Sequence, residues 1–183
     1  MNWYDREMST DDSPDYEYLR EAVYHALASG NIRTACRHSV TLGKYLDHLL
    51  LYKDKQQLQQ AVADNITEHV IEEAISQKDG DIGVLLNDLG LTYRALGDAY
   101  KAIEYYEKAL EIDLKVFGDQ HPSVAIRYNN LGGAYIDLGD AFKAIEYCEK
   151  ALGILTAVYG KNHPSTQTVN ANLEIIKPQK ILD

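Results

Sequence analysis

The sequence predicts an all-α protein, a right-handed α-solenoid of about eight helices built from helix-turn-helix repeats. Three observations predict it. Shifting the segment that starts at Leu86 by 42 residues lays it on the segment that starts at Tyr128. Apolar residues recur at helical spacing through most of the remaining chain. Glycine and proline sit at the ends of those runs, where helices stop and start.

Residues 1–14 form an acidic leader. Asp5, Glu7, Asp11 and Asp12 stand there against Arg6 alone, a composition that favours a solvated, flexible segment. Three helices are expected over residues 15–80. The first runs from Asp15 to Ser29, with Leu19, Val23, Ala26 and Leu27 as its apolar side, and Gly30-Asn31 breaks it. The second spans Ile32 to Tyr52. The third, Lys55 to Gln77, carries Leu58, Val62, Ile66 and Val70 at i+4 spacing and ends at Lys78-Asp79-Gly80-Asp81.

The repeated units follow, at 81–122 and 123–164, with a C-terminal capping helix and tail at 165–183. Leu96-Gly97-Asp98-Ala99 meets Leu138-Gly139-Asp140-Ala141 unchanged, and Lys101-Ala102-Ile103-Glu104-Tyr105 meets Lys143-Ala144-Ile145-Glu146-Tyr147 unchanged. About 23 of the 42 aligned positions are identical, well beyond shared helical composition. Within the first unit one helix runs from Ile82 to Leu96, with Gly97 as its left-handed C′ residue. Asp98 then caps a second helix, Ala99 to Phe117. Gly90, Ala102 and Ala109 let two backbones approach, and Leu89, Tyr93, Ile103, Tyr106 and Leu110 supply buried area, about 1.5–3 kcal/mol per fully buried large side chain. Gly118 and His121-Pro122 turn the chain into the next unit, with Pro122 at the first helical position. Glu104–Lys108 and Glu146–Lys150 are i,i+4 pairs on the outer face, each worth about 0.3–0.5 kcal/mol. A third copy starts at His163 and stops at Pro178.

The Leu-Gly-x-x-Tyr, Gly-Asp, Ala-Ile-Glu-Tyr and Ala-Leu elements resemble the tetratricopeptide repeat. The 42-residue period with its His-Pro turn is similar to the longer variant of kinesin light chains and nephrocystin-like proteins. The resemblance covers Ile82 to about Lys177. It implies stacked helix pairs whose first helices line a concave groove that binds protein segments.

Two pairings of the N-terminal helices compete. Ala28-Ser29-Gly30-Asn31 followed by Ala35 imitates the Gly-Asp turn inside the repeats, which would pair the first two helices as a degenerate unit. Counting backward from Ile82 pairs the second helix with the third and leaves the first as a leading cap. Uninterrupted alternation along a solenoid favours backward counting.

Composition narrows the function. The formal charge of −10 argues against nucleic acid or an anionic membrane as partner, since both reward clustered Lys and Arg. No apolar run reaches bilayer-spanning length, and Met1 to Thr10 lacks the layout of a secretion signal. Cys36 and Cys148 suggest no disulfide framework, so a cytoplasmic location is expected. Asn65-Ile66-Thr67 matches a glycosylation sequon but falls inside the third helical stripe, where chance is the better account.

Nothing points to catalysis, a cofactor or a metal. Gly-rich phosphate loops, Gly-x-Ser-x-Gly and Cys-x-x-Cys are missing from the sequence. The best metal candidates are Cys36, His38, His48 and His69, but Cys36 and His38 are two apart on one helix and point about 200° away from each other. His25 stands alone. His121 and His163 repeat with the turn, which assigns them to helix-start packing. Cys148 replaces Tyr106 in the repeat and is buried by position.

A binding role needs a surface, and the positions left over from packing supply one. In the first unit they are Val84, Asn87, Leu91 and Arg94; in the second, Ile126, Asn129, Gly133, Ile136 and Asp137; on the last helix, Thr168, Ala171 and Ile175. The amides of Asn87 and Asn129 suit the backbone of an extended peptide, the role the resemblance to kinesin light chains implies. They equally suit bonds between adjacent helices, and both readings stand. Only Arg94 and Arg127 could hold a terminal carboxylate, too few for a chaperone-tail clamp. Leu91, Ile126 and Ile136 call for apolar anchors, with Gly133 leaving room for a bulky one. The expected partner is therefore a protein or peptide. Self-association, with the groove filled by the chain's own segment or by another copy, is the alternative.

Overall fold

The computed structural model describes residues 16–48 and 52–177. The acidic leader, the end expected for the second helix at 49–51 and the tail at 178–183 lie outside them. Among the described residues there are nine helices and no strand: α1 Tyr16–Ala28, α2 Ile32–His48, α3 Tyr52–Ala63, α4 Glu68–Ser76, α5 Asp81–Ala95, α6 Ala99–Phe117, α7 Pro122–Asp137, α8 Ala141–Tyr159 and α9 Pro164–Ile176.

The ninth helix is a correction. The expected third helix is two, broken at Asp64–Thr67. Asn65 turns its side chain back, Nδ2 donating to the carbonyl of Ala61 at 2.9 Å. Thr67 restarts the helix as an N-cap, its Oγ1 accepting from the Val70 amide. Short polar side chains thus outcompete the ladder at this point. The break also places Asn65 in an exposed turn, so the helical-stripe argument against its sequon does not hold.

Inside the repeats, the local chemistry behaves as the sequence predicts. Gly97 takes φ 84° and its repeat Gly139 takes φ 78°, the left-handed region where only glycine is unstrained. The Asp98 amide donates to the Tyr93 carbonyl and the Gly97 amide to that of Arg94, closing a Schellman motif. Asp98 and Asp140 then cap α6 and α8 by accepting from the amides of Lys101 and Lys143. His121 and His163 cap α7 and α9 through Nδ1, and stack on Phe117 and Tyr159 with centroids 4.4 Å apart.

Successive helices pack against each other in order: α5 on α6, α6 on α7, α7 on α8 and α8 on α9. A Cβ on Gly90 would lie 2.5 Å from Tyr106 Cε1, and one on Gly132 would lie 2.5 Å from Cys148 Sγ. Glycine is what lets each helix pair close. Two core clusters result, one under α1–α5 with the C-terminal half of α6 and one running from α5 to α9; Ala63 and Tyr105 pack on both.

The N-terminal helices combine both expected pairings. The α1–α2 turn does copy the Gly-Asp turn locally, with Gly30 at φ 72° and the Asn31 amide donating to the Ala26 carbonyl. Packing follows the backward count. The N-terminal turns of α2 and α5 lie together, Arg37 pairing with Asp81 at 2.5 Å, so the two helices run parallel. The start of α3 meets the end of α5, where Gln56 Nε2 donates to Tyr93 Oη and Tyr93 Oη donates to Gln60 Oε1. α3 therefore runs antiparallel to α5, and α2 stands to α5 as α5 stands to α7.

Candidate interaction surface

The first helices of the layers, α5, α7 and α9, are tied together by three polar rungs. Asn130 Nδ2 donates to Asn87 Oδ1 at 2.7 Å between α5 and α7. Asn172 Nδ2 donates to Asn129 Oδ1 at 3.3 Å between α7 and α9. Arg94 forks onto Asp137, Nε to Oδ2 at 2.5 Å and Nη2 to Oδ1 at 3.2 Å. Each rung joins residues 43 apart in sequence, one more than the repeat period. That offset is the stagger of neighbouring parallel helices.

The rungs decide what the expected groove residues do. Asn87 is only 6% exposed, so its amide lies within the layer contact; Asn129 is half-buried and engaged in the same way. Arg94 is committed to Asp137. Its guanidinium also lies over Gly133, where a Cβ would sit 2.8 Å from Nη1. The space expected above Gly133 for a bulky anchor is filled from inside the chain. Arg127 is not on this face at all, being buried between α6 and α7 against Asp113, Nε to Oδ2 at 3.0 Å. The aliphatic positions are the ones left open: Val84, Leu91, Ile126, Ile136 and Ile175 are between 37% and 66% exposed. Ala171 and Thr168 are exposed beside them, with Thr168 Oγ1 donating to its own helix at the Pro164 carbonyl.

Below this floor the helix pairs are held by aromatic stacks. Tyr93 lies on Tyr105 and Tyr135 on Tyr147, with centroids 5.4 and 5.5 Å apart. Lys101 and Lys143 lie over the rings of Tyr93 and Tyr135. Tyr106 sits in the core with an unpaired hydroxyl, and burial raises its pKa.

Sequence reasoning missed Asn130 and Asn172 as rung partners, and missed the buried Asp113–Arg127 pair. The first two carried a signal, since they recur one position after Asn87's repeat and on the phase of the third copy. The pair carried one as well: charges occupy positions whose repeats are Leu155 and Val169.

The reactive groups assemble nowhere. Cys36 is fully buried, and burial pushes its thiol up to about 12. Cys148 is buried and raised for the same reason. The side chain of His48 lies outside the described residues. Among those described, no cluster of three or more His, Cys, Asp and Glu could hold a metal ion, and no helix is long and apolar enough to cross a membrane.

Comparison with known proteins agrees with this architecture. Among solved structures, BtubC (BKLC) from P. vanneervenii superposes with a TM-score of 0.67 at 16% identity, covering 92% of this chain and 68% of that one. A type III secretion complex from Aeromonas hydrophila gives 0.63 at 18%, covering 89% and 99%. The type III secretion translocator chaperone SycD of Yersinia enterocolitica gives 0.58 at 16%, covering 80% and 86%. These likenesses are of fold. No curated protein matches in sequence. The tetratricopeptide repeat family model matches residues 81–141 and 126–176, over half of the sequence, and the chain belongs to the tetratricopeptide repeat family.

Proposed function

We propose that the chain is a protein-interaction scaffold that receives a segment of a partner protein on the face made by α5, α7 and α9. One observation carries the reading. Helices that otherwise bury their large apolar residues leave Val84, Leu91, Ile126, Ile136 and Ile175 in solvent along one row, and grouped exposed apolar side chains mark interaction surfaces. Residues 81–122 and 123–164 act as the two full units, 165–177 as the capping helix, and 32–76 as a degenerate unit behind α1. The bound face comprises Val84, Leu91, Ile126, Ile136 and Ala171, with Asn87, Asn129, Arg94, Gly133 and Asp137 holding its shape. The interaction is expected in the cytoplasm, without cofactor or catalysis.

The test is affinity capture from a native extract with the wild-type chain and with Leu91→Glu/Ile126→Glu. Both sites are exposed, so circular dichroism should be unchanged. Proteins held by the wild type and lost by the variant support the reading; an identical set of captured proteins refutes it. Self-association is the second reading, prompted by the similarity to SycD, which has been crystallised as an alternative dimer. Light scattering decides between them: a dimer abolished by the same double variant would make a second copy the occupant.

A further inference from the structure

The row of first helices offers a visiting backbone little to bond to. Asn87 and Asn129 accept from the asparagines of the next helix. Arg94 is held by two bonds to Asp137, and the Thr168 hydroxyl donates to its own helix. What the solvent meets between these groups is aliphatic: Val84, Leu91, Ile126, Ile136 and Ile175. An extended segment pressed onto such a floor would bury backbone N–H and C=O groups without partners, and each would carry the desolvation cost of a lost hydrogen bond. A helix arrives with its backbone bonds already made and needs only an apolar stripe to match the row.

Charge adds a second constraint. On α5, α7 and α9 the carboxylates of Asp81, Asp88, Asp137 and Glu174 outnumber the guanidiniums of Arg94 and Arg127, and Arg127 is buried against Asp113. The whole chain carries −10. A partner with basic residues flanking its apolar stripe is therefore attracted, and one with acidic flanks is repelled.

Building on the reading above, we infer that the partner segment is an amphipathic α-helix with a basic polar flank, its apolar stripe seated on Leu91, Ile126 and Ile175. It would not be an extended peptide held by asparagines.

The probe is a synthetic 18-residue helix, leucine on one face and lysine and glutamine on the other, labelled for fluorescence anisotropy and titrated with the full chain. One control carries two interior prolines in place of glutamine; another carries glutamate in place of lysine. The lysine helix should bind, weaken as salt rises, and lose at least tenfold in affinity in either control. Ile126→Glu in the chain should abolish its binding. If the proline peptide binds as tightly as its parent and Ile126→Glu removes both, an extended segment is the ligand; the helix proposal falls while the groove survives. If the glutamate helix binds as tightly, the basic flank is wrong. Failure of the lysine helix to bind below millimolar concentration overturns the proposal. Binding unaffected by Ile126→Glu overturns the groove reading itself.

Discussion

The buried pair Asp113–Arg127 allows the chain to be tested against its own repeat. Asp113 has no exposed side-chain surface, Arg127 has 6%, and their contact is Nε to Oδ2 at 3.0 Å. The alignment falls short of a hydrogen bond, leaving both Asp113 oxygens and Arg127 Nε without one. Burial accordingly raises the Asp113 pKa and lowers that of Arg127, each against the pull of the other's charge. One layer on, the same contact is made by Leu155 and Val169, 4% and 3% exposed. Asp113→Leu alone would leave a buried guanidinium unpaired and should cost about 3–5 kcal/mol. At a slope of roughly 2 kcal/mol per molar urea, that lowers the unfolding midpoint by about 1.5–2.5 M. Arg127→Val alone should cost about as much. The double variant installs the pair that the next layer already uses, and should match or exceed the wild type, by up to about 1–4 kcal/mol. Urea titrations of all four proteins, followed by circular dichroism, give the cycle. A double variant as unstable as either single one would show that the ion pair is a net stabiliser, and would refute the desolvation reasoning.

Other perturbations follow from single contacts. Gly132→Ala should destabilise by about 1–3 kcal/mol through the clash at Cys148 Sγ, and in a Cys148→Ala background the same change should instead stabilise, because the sulfur is gone; thermal melts of the pair decide. Gly153 is exposed in the middle of α8, with nothing within 4 Å of where a methyl would stand, so Gly153→Ala should add about 0.5–1 kcal/mol, read as a higher urea midpoint. His121→Ala removes both an N-cap and a stack on Phe117 and should cost about 1–2 kcal/mol by the same measurement. His38 has an orphaned Nδ1, and burial holds its pKa below the usual 6.5. The folded state thus binds its proton less readily than the unfolded chain, so stability present above pH 6.5 is lost as pH falls through the depressed value. The melting temperature should drop more between pH 7.5 and 5.5 for the wild type than for His38→Gln; parallel drops would contradict this.

Wherever one residue dictated local geometry, the fold was legible. Gly97 and Asp98 end one helix and begin the next, and α6 occupies Ala99–Phe117 as expected. The break between α3 and α4 escaped because Ile66 stays partly buried within the turn. The apolar stripe from Leu58 to Val70 therefore runs on across a point where the backbone does not. Asn65 and Thr67 were the better signal, since their side chains compete with the helix directly. The rungs were harder to see. Arg94 and Asp137 read as separate groove charges until the stagger of α5 against α7 brings them together, and that stagger is a property of packed layers that no single helix contains.

The rungs also bear on how repetition should be read. A feature that recurs at every period solves a problem every layer shares, namely stacking on the next one. Asn87 and Asn129 recur, and both are found bonding to the following helix. A partner meets the layers together, so recognition has to come from what differs between them. Leu91, Gly133 and Ile175 occupy one repeat position with three different side chains, and Arg94 is followed by Ile136 at another. Because Gly133 has no side chain, Arg94 can cross it to reach Asp137. The variation thus shapes the floor twice, by removing bulk at one site and by neutralising charge beside it. The apolar row that results is continuous across α5, α7 and α9 only because these layers are not identical.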